Sequence, residues 1–216
     1  MTTRNFSRRE IIKTTMGAIG GLSMSGILRA GTPTPAQTEG PFYPKRPPLD
    51  RDNDLTLLAG SNQSAKGEII ILAGSIFTED RKTISGAGIE IWQACASGRY
   101  NDPEDTNPAE LDPHFQYWGR DFSDAKGRYT FKTLIPGAYP ADSDWVRPPH
   151  IHFKIYKLGF HELTTQMYFK DEALNAKDKI LRALSPEEQN KVVIPLKVDM
   201  DGTRTASFDI ILRKVV

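Results

Sequence analysis

Arg147-Pro148-Pro149-His150-Ile151-His152-Phe153-Lys154-Ile155-Tyr156 alternates polar and apolar side chains from His150 onward, the two-residue period of a strand with one face in a core. His150 and His152 therefore share one face, and Ile151, Phe153 and Ile155 share the other. Six further short runs read as strands, at 68–77, 88–94, 128–134, 163–169, 191–198 and 205–213. They are rich in β-branched and aromatic residues and bounded by turn chemistry such as Ser123-Asp124-Ala125-Lys126-Gly127 and Asp199-Met200-Asp201-Gly202. Seven short strands of this kind predict an all-β fold, an antiparallel β-sandwich.

The rest of the chain fits around that body. One helical stretch is expected over 173–184, where Leu174, Ile180, Leu181 and Leu184 make an apolar face. Ser185-Pro186-Glu187-Glu188 reads as a capped turn with Pro at the first helical position. Upstream, Pro33, Pro35, Pro41, Pro44, Pro47 and Pro48 exclude helix or central strand and predict an extended arm on the body. The expected division is a signal and leader at 1–36, an extended Pro-rich arm over 37–67 and a β-sandwich domain over 68–216.

The 216 residues carry 28 basic and 27 acidic side chains, but five of the basic and one of the acidic fall within the first 30. The remainder is mildly acidic, which argues against a nucleic-acid partner, since phosphate binding shows as a basic excess. Within those 30 residues Arg8-Arg9 precedes an uncharged, weakly apolar run at 14–28, the pattern of a twin-arginine export signal. That run is shorter than the ~20 residues of a membrane span. Export to the periplasm, with cleavage between about 30 and 36 and no stable membrane anchor, is the expectation.

A single cysteine, Cys95, excludes an intrachain disulfide and any multi-thiolate metal site. A metal must then be held by imidazole, carboxylate or phenolate, and His150 and His152 are placed to converge on one ion. Tyr100 and Tyr139 sit at turn-flanked strand ends. A phenol titrates near 10, so only a strongly Lewis-acidic ion such as Fe(III) holds it as phenolate near neutral pH.

Five blocks then occur in order: Thr34-Pro35-Ala36-Gln37-Thr38-Glu39-Gly40-Pro41-Phe42-Tyr43-Pro44, the run 89–100 ending at Tyr100, 124–140 ending in Gly137-Ala138-Tyr139-Pro140, Arg147 to Phe153, and Thr164-Thr165-Gln166-Met167-Tyr168-Phe169. With these blocks the sequence resembles the intradiol ring-cleavage dioxygenases, in the branch of protocatechuate 3,4-dioxygenase. The resemblance implies a β-sandwich with non-haem Fe(III) bound at one end by Tyr100, Tyr139, His150 and His152. It places Arg147 and Gln166 in the active site. A catechol-type substrate and O2 are the implied reactants, and a muconate-type diacid the product. Tyr139 matches the ligand that leaves as substrate arrives and takes its proton, and Arg147 stabilises the charge that develops on the ring.

Two other readings use the same residues. One is a binding module that keeps the scaffold without the activity. The other is a 2-His-1-carboxylate metalloenzyme using Asp142 or Asp144 with the histidines. Ala141 stands where close members of the family carry an aromatic, which bears on pocket shape and leaves the particular catechol open. His114 and His161 have no ligand role in this matching. Trp92 is expected in the core, Trp145 at a pocket wall, and Cys95 as a small buried residue in a strand. A homo-oligomer and a self-contained monomer are both compatible with the chain.

Overall fold

A computed structural model describes residues 31–46 and 48–215. The residues read as an export signal, and most of the expected leader at 1–36, lie outside the described residues. The strands are β1 (Ile69–Thr78), β2 (Gly88–Trp92), β3 (Trp118–Phe122), β4 (Arg128–Leu134), β5 (Tyr139–Asp142), β6 (Trp145–Arg147), β7 (His150–Tyr156), β8 (Leu163–Phe169), β9 (Val193–Ile194), β10 (Leu196–Val198), β11 (Arg204–Ser207) and β12 (Ile210–Leu212). One sheet runs β10-β11-β1-β12 with β4 on the other side of β1, and the second runs β3-β2-β7-β8-β9. β5 and β6 form a separate hairpin.

The two sheets close on one core. Ile70, Leu72 and Ile76 of β1 and Phe131 of β4 meet Ile89 and Ile91 of β2 and Ile151, Phe153 and Ile155 of β7. Alternation along β7 thus delivers its apolar set to the core, as the sequence predicts. Its other face is also buried: His150 and His152 are each 2% exposed. A second cluster of Trp92, Tyr100, Trp118 and Tyr139, with Phe42 and Tyr43 packed against it, covers that region.

The sandwich is mixed rather than purely antiparallel. β1 pairs in parallel with β11 through its first half and with β12 through its second, and β8 pairs in parallel with β9. Side-chain alternation fixes which face a strand buries but not the direction of its neighbour, so this feature is invisible in the pattern. The helix expected over 173–184 is absent. Two 3-10 turns, Ala173–Lys177 and Leu181–Ala183, replace it. Side chains there take local backbone partners: Glu172 accepts from Leu174 N–H, Asp178 from Leu181 N–H, and Asn175 donates to the Phe169 carbonyl, offering the chain an alternative to helix.

Ser185 caps helix α1 (Pro186–Val192) in a full capping box with Glu188, so the expected single turn extends to seven residues. That helix takes the start of the strand expected over 191–198, and Pro195, with no N–H to give, divides the remainder into β9 and β10. The Pro-rich stretch forms no helix, and its described residues run through turns and bends after residue 40. It is fastened by Thr34 N–H to the Ile211 carbonyl (3.1 Å), Ile211 N–H to Thr34 Oγ1 (3.0 Å) and Gln37 N–H to the Thr164 carbonyl (2.9 Å). Among the described residues no helix is long and apolar enough to cross a membrane.

Candidate active site

The site begins where β2 ends. After Trp92 the chain turns tightly, with Cys95 N–H donating to the Arg99 carbonyl and Gly98 N–H to that of Cys95, both at 2.9 Å. Gly98 adopts φ +87°, and a Cβ there would lie 2.2 Å from the Ala138 carbonyl oxygen. A Cβ on Gly137 would lie 2.4 Å from the Gly98 nitrogen. Only two glycines allow this backbone contact, and it sets Tyr100 and Tyr139 side by side with ring centroids 5.4 Å apart at 88°. Tyr100 is fixed further by its N–H to Asp105 Oδ2 at 2.7 Å.

Tyr139 opens β5 and pairs with Arg147 across the hairpin; two prolines later the chain enters β7. Tyr139 and His150 ring centroids are 5.7 Å apart, and those of Tyr100 and His152 6.4 Å. The Nε2 atoms of His150 and His152 face each other at 3.1 Å. His150 Nδ1 meets the Pro148 carbonyl at 2.7 Å, which puts its proton on Nδ1 and leaves Nε2 with a lone pair. Arg147 Nη1 lies 3.0 Å from that Nε2.

Electrostatics follow from burial. Removal from water pushes both imidazoles well below their ordinary pKa, and the Arg147 cation adds to this, with His150 also acting on His152. Both are therefore neutral, the form that donates to a metal. Burial pushes Tyr100 well up, with Tyr139 adding and Arg147 opposing; burial also raises Tyr139 against Arg147. The Tyr100 hydroxyl is buried, with the Tyr139 side chain as its neighbour.

All six residues singled out in the sequence converge here. Arg147 Nη2 donates to Gln166 Oε1 at 2.7 Å and to Tyr168 Oη at 3.1 Å, and Gln166 Nε2 donates to the Thr38 carbonyl at 2.8 Å. His114 and His161 stand apart from this group, His161 being exposed. Asp142 and Asp144 are exposed around the hairpin turn, and among the described residues no third His, Cys, Asp or Glu joins the histidines. Nothing therefore favours the 2-His-1-carboxylate reading.

Trp92 differs from its expected place. It is buried, but it stacks on His152 at 4.8 Å and 13°, belonging to the site rather than the main core. Trp145 is half-buried beside Arg147, whose guanidinium carbon is 5.6 Å from its ring centroid. Cys95 is buried as expected, though beyond the end of β2, with its sulfur 3.1 Å from Ser97 Oγ. Several contributors lay within the quoted arm block without having been assigned a role. Phe42 stacks on Tyr100 at 4.5 Å, Tyr43 meets Trp92 edge-on at 4.9 Å, and Gln37 Nε2 donates to Tyr168 Oη at 3.1 Å. Tyr43 Oη also donates to Glu90 at 2.7 Å, while Lys154 pairs with Glu39, tying the arm to β2 and β7.

Two histidines of β7, Tyr100 from the turn after β2, and Tyr139 and the buried Arg147 from the β5–β6 hairpin thus meet beneath the arm. Residues 38–214 match the family described as Dioxygenase. The chain is 38% identical over 169 residues to the protocatechuate 3,4-dioxygenase beta chain of Burkholderia cepacia, covering 75% of this chain and 72% of that one. It is 30% identical over 188 residues to the alpha chain from Pseudomonas putida, covering 82% and 90%. In structure it is similar to the dioxygenase domain of a dioxygenase carbohydrate-binding protein fusion from Streptomyces sp. SirexAA-E, with TM-score 0.64, 27% identity, and coverage of 85% of this chain and 100% of that one. This chain belongs to the intradiol ring-cleavage dioxygenase family. Its activity at that level is the oxidative opening of catechol-type rings.

Proposed function

We propose that Tyr100, Tyr139, His150 and His152 hold one non-haem Fe(III) and that this exported enzyme uses it to cleave a catechol between its hydroxyl-bearing carbons, giving a muconate-type diacid. The observation that carries the reading is the pair of Nε2 atoms 3.1 Å apart beside two buried phenols. Two nitrogens at right angles on an ion with bonds of about 2.1 Å lie about 3.0 Å apart, so the pair fits one metal. The donor set fits a ferric ion in particular, because phenols whose pKa burial has raised stay protonated beside a weaker Lewis acid.

Ferric iron, when bound, supplies Lewis acidity that draws charge from a catecholate and readies the ring for O2. The chain's own residues do the rest. The Pro148 carbonyl holds the His150 proton on Nδ1 and keeps Nε2 directed inward. Tyr139, on a short hairpin strand rather than within the sheets, is the phenolic oxygen placed to take a hydroxyl proton from arriving substrate. Arg147 places a fixed cation at the developing negative charge in a site closed to water. Gln166, held by Thr38 and Arg147, lines the same space and orients the substrate. The Arg8-Arg9 pair before its apolar run supports action in the periplasm. Purified, iron-loaded protein is expected to show the broad visible charge-transfer band of tyrosinate on Fe(III) and to take up O2 with catechols. Colourless iron-loaded protein overturns the ligand set.

A further inference from the structure

Asp178 is fully buried and no part of the ligand set. It follows the first 3-10 turn, where its N–H donates to the Asn175 carbonyl at 3.3 Å and its Oδ1 accepts Leu181 N–H at 2.8 Å. The carboxylate is therefore locked to its own backbone before it meets anything else. Its Oδ2 then accepts Arg147 Nε–H at 3.0 Å, with Oδ1 3.4 Å from Nη2. The other partners of Arg147 are His150, Gln166, Tyr168 and the Tyr139 side chain. Asp178 is the carboxylate among them, set against a guanidinium only 4% exposed. Taking one edge of the planar fork also turns the opposite edge, Nη1, toward His150.

We propose that Asp178 is the positioning residue for Arg147: it fixes the guanidinium by its Nε edge and supplies the counter-charge that keeps the cation buried in the empty site until an anionic substrate arrives. The inference rests on the role assigned to Arg147 above. Nη1, the edge turned to His150, lies opposite the carboxylate, so the anchor and the candidate ligands take different edges of the guanidinium. Without it the guanidinium has an unbalanced charge in a dry site and only neutral acceptors to hold it, and it leaves for solvent.

The test is a double-mutant cycle on the iron-loaded enzyme with D178N, R147A and the double variant, reading iron content, visible band, kcat and KM. D178N is expected to keep the wild-type iron content and band while kcat falls about 10- to 100-fold, the range of supporting-residue losses. In the R147A background the same change is expected to cost less than twofold. On chelator-stripped protein the melting-temperature losses of the two single variants should sum to more than that of the double. Wild-type kcat in D178N, or a D178N loss that adds in full to that of R147A, overturns the proposal. Loss of iron or colour in D178N overturns it as well, by showing that Asp178 supports the ligands rather than Arg147. If D178N does not fold, D178S is judged by the same criteria. Full activity in R147A with iron and colour intact overturns the proposal through the Arg147 role, whereas an uncoloured wild type overturns the ligand set instead.

Discussion

Gly98 and Gly137 touch backbone to backbone, and that contact is what brings two tyrosines 39 positions apart in sequence onto one pair of histidines. Neither glycine carries chemistry, yet a methyl on Gly137 would sit 2.4 Å from the Gly98 nitrogen. G137A is expected to force the two segments apart, at an overpacking cost of about 1–3 kcal/mol. Thermal unfolding measures that cost. Iron content and the visible band should fall with it, and a G137A protein with wild-type iron occupancy would show that the crossing does not set the ligand geometry.

Tyr139 and Tyr100 should differ when their hydroxyls are removed. Y139F is expected to retain iron on the three remaining donors and lose about a hundredfold or more in kcat, the range for removing a positioned proton acceptor. Y100F should lose iron itself, because Tyr100 is the more buried of the two tyrosines and sits between Phe42 and His152. Metal analysis with O2-uptake rates separates the two, and equal iron loss in both would rule out the distinct role of Tyr139.

The metal-free protein should weaken on the acid side. His150 and His152 have folded pKa values pushed well down by burial, whereas in the unfolded chain they titrate near 6.5. Below that value the unfolded state binds protons that the folded state refuses, so stability is complete above about pH 6.5 and falls as pH drops toward the folded values. The slope is at most about 1.4 kcal/mol per pH unit for each histidine. Denaturant midpoints across pH 5 to 7 should show the decline, and H150Q/H152Q should flatten it; an unchanged slope in the double variant would place the titration elsewhere.

Export is testable apart from chemistry. Changing Arg8 and Arg9 to Lys is expected to hold the protein in the cytoplasm of a bacterial host, read by fractionation against periplasmic and cytoplasmic markers. Unaltered periplasmic recovery would argue against the twin-arginine route.

Much of the molecule was legible because alternation is a local signal. β7 and the burial of Ile151, Phe153 and Ile155 follow from side-chain period alone, and β8 from its β-branched and aromatic residues. β3 and the β5–β6 hairpin did not, since Gly119 and Pro140 are poor strand residues and their strands are only three to five residues long. The histidine pair announced itself through spacing. The tyrosines did not, because a tyrosine near a turn is commonly packing, and they were placed only by resemblance to a family. Asp178 was hidden altogether: it lies 31 positions from Arg147 in a stretch that reads as helix, and a charged residue there looks like solvent-facing surface.

The arm's fastening also bears on maturation. Gly31 N–H reaches the Glu79 carbonyl, Thr32 pairs with Lys191, and Thr34 exchanges two hydrogen bonds with Ile211. A processing protease that cut after residue 30 would leave this seam whole. One that cut after 36 would unpick its first stitches and leave Gln37, a direct neighbour of the arginine network, as a fraying chain end. If the chain is processed as proposed, a cut near residue 30 would keep residues 31–36 as the selvedge of the segment that lies over the site.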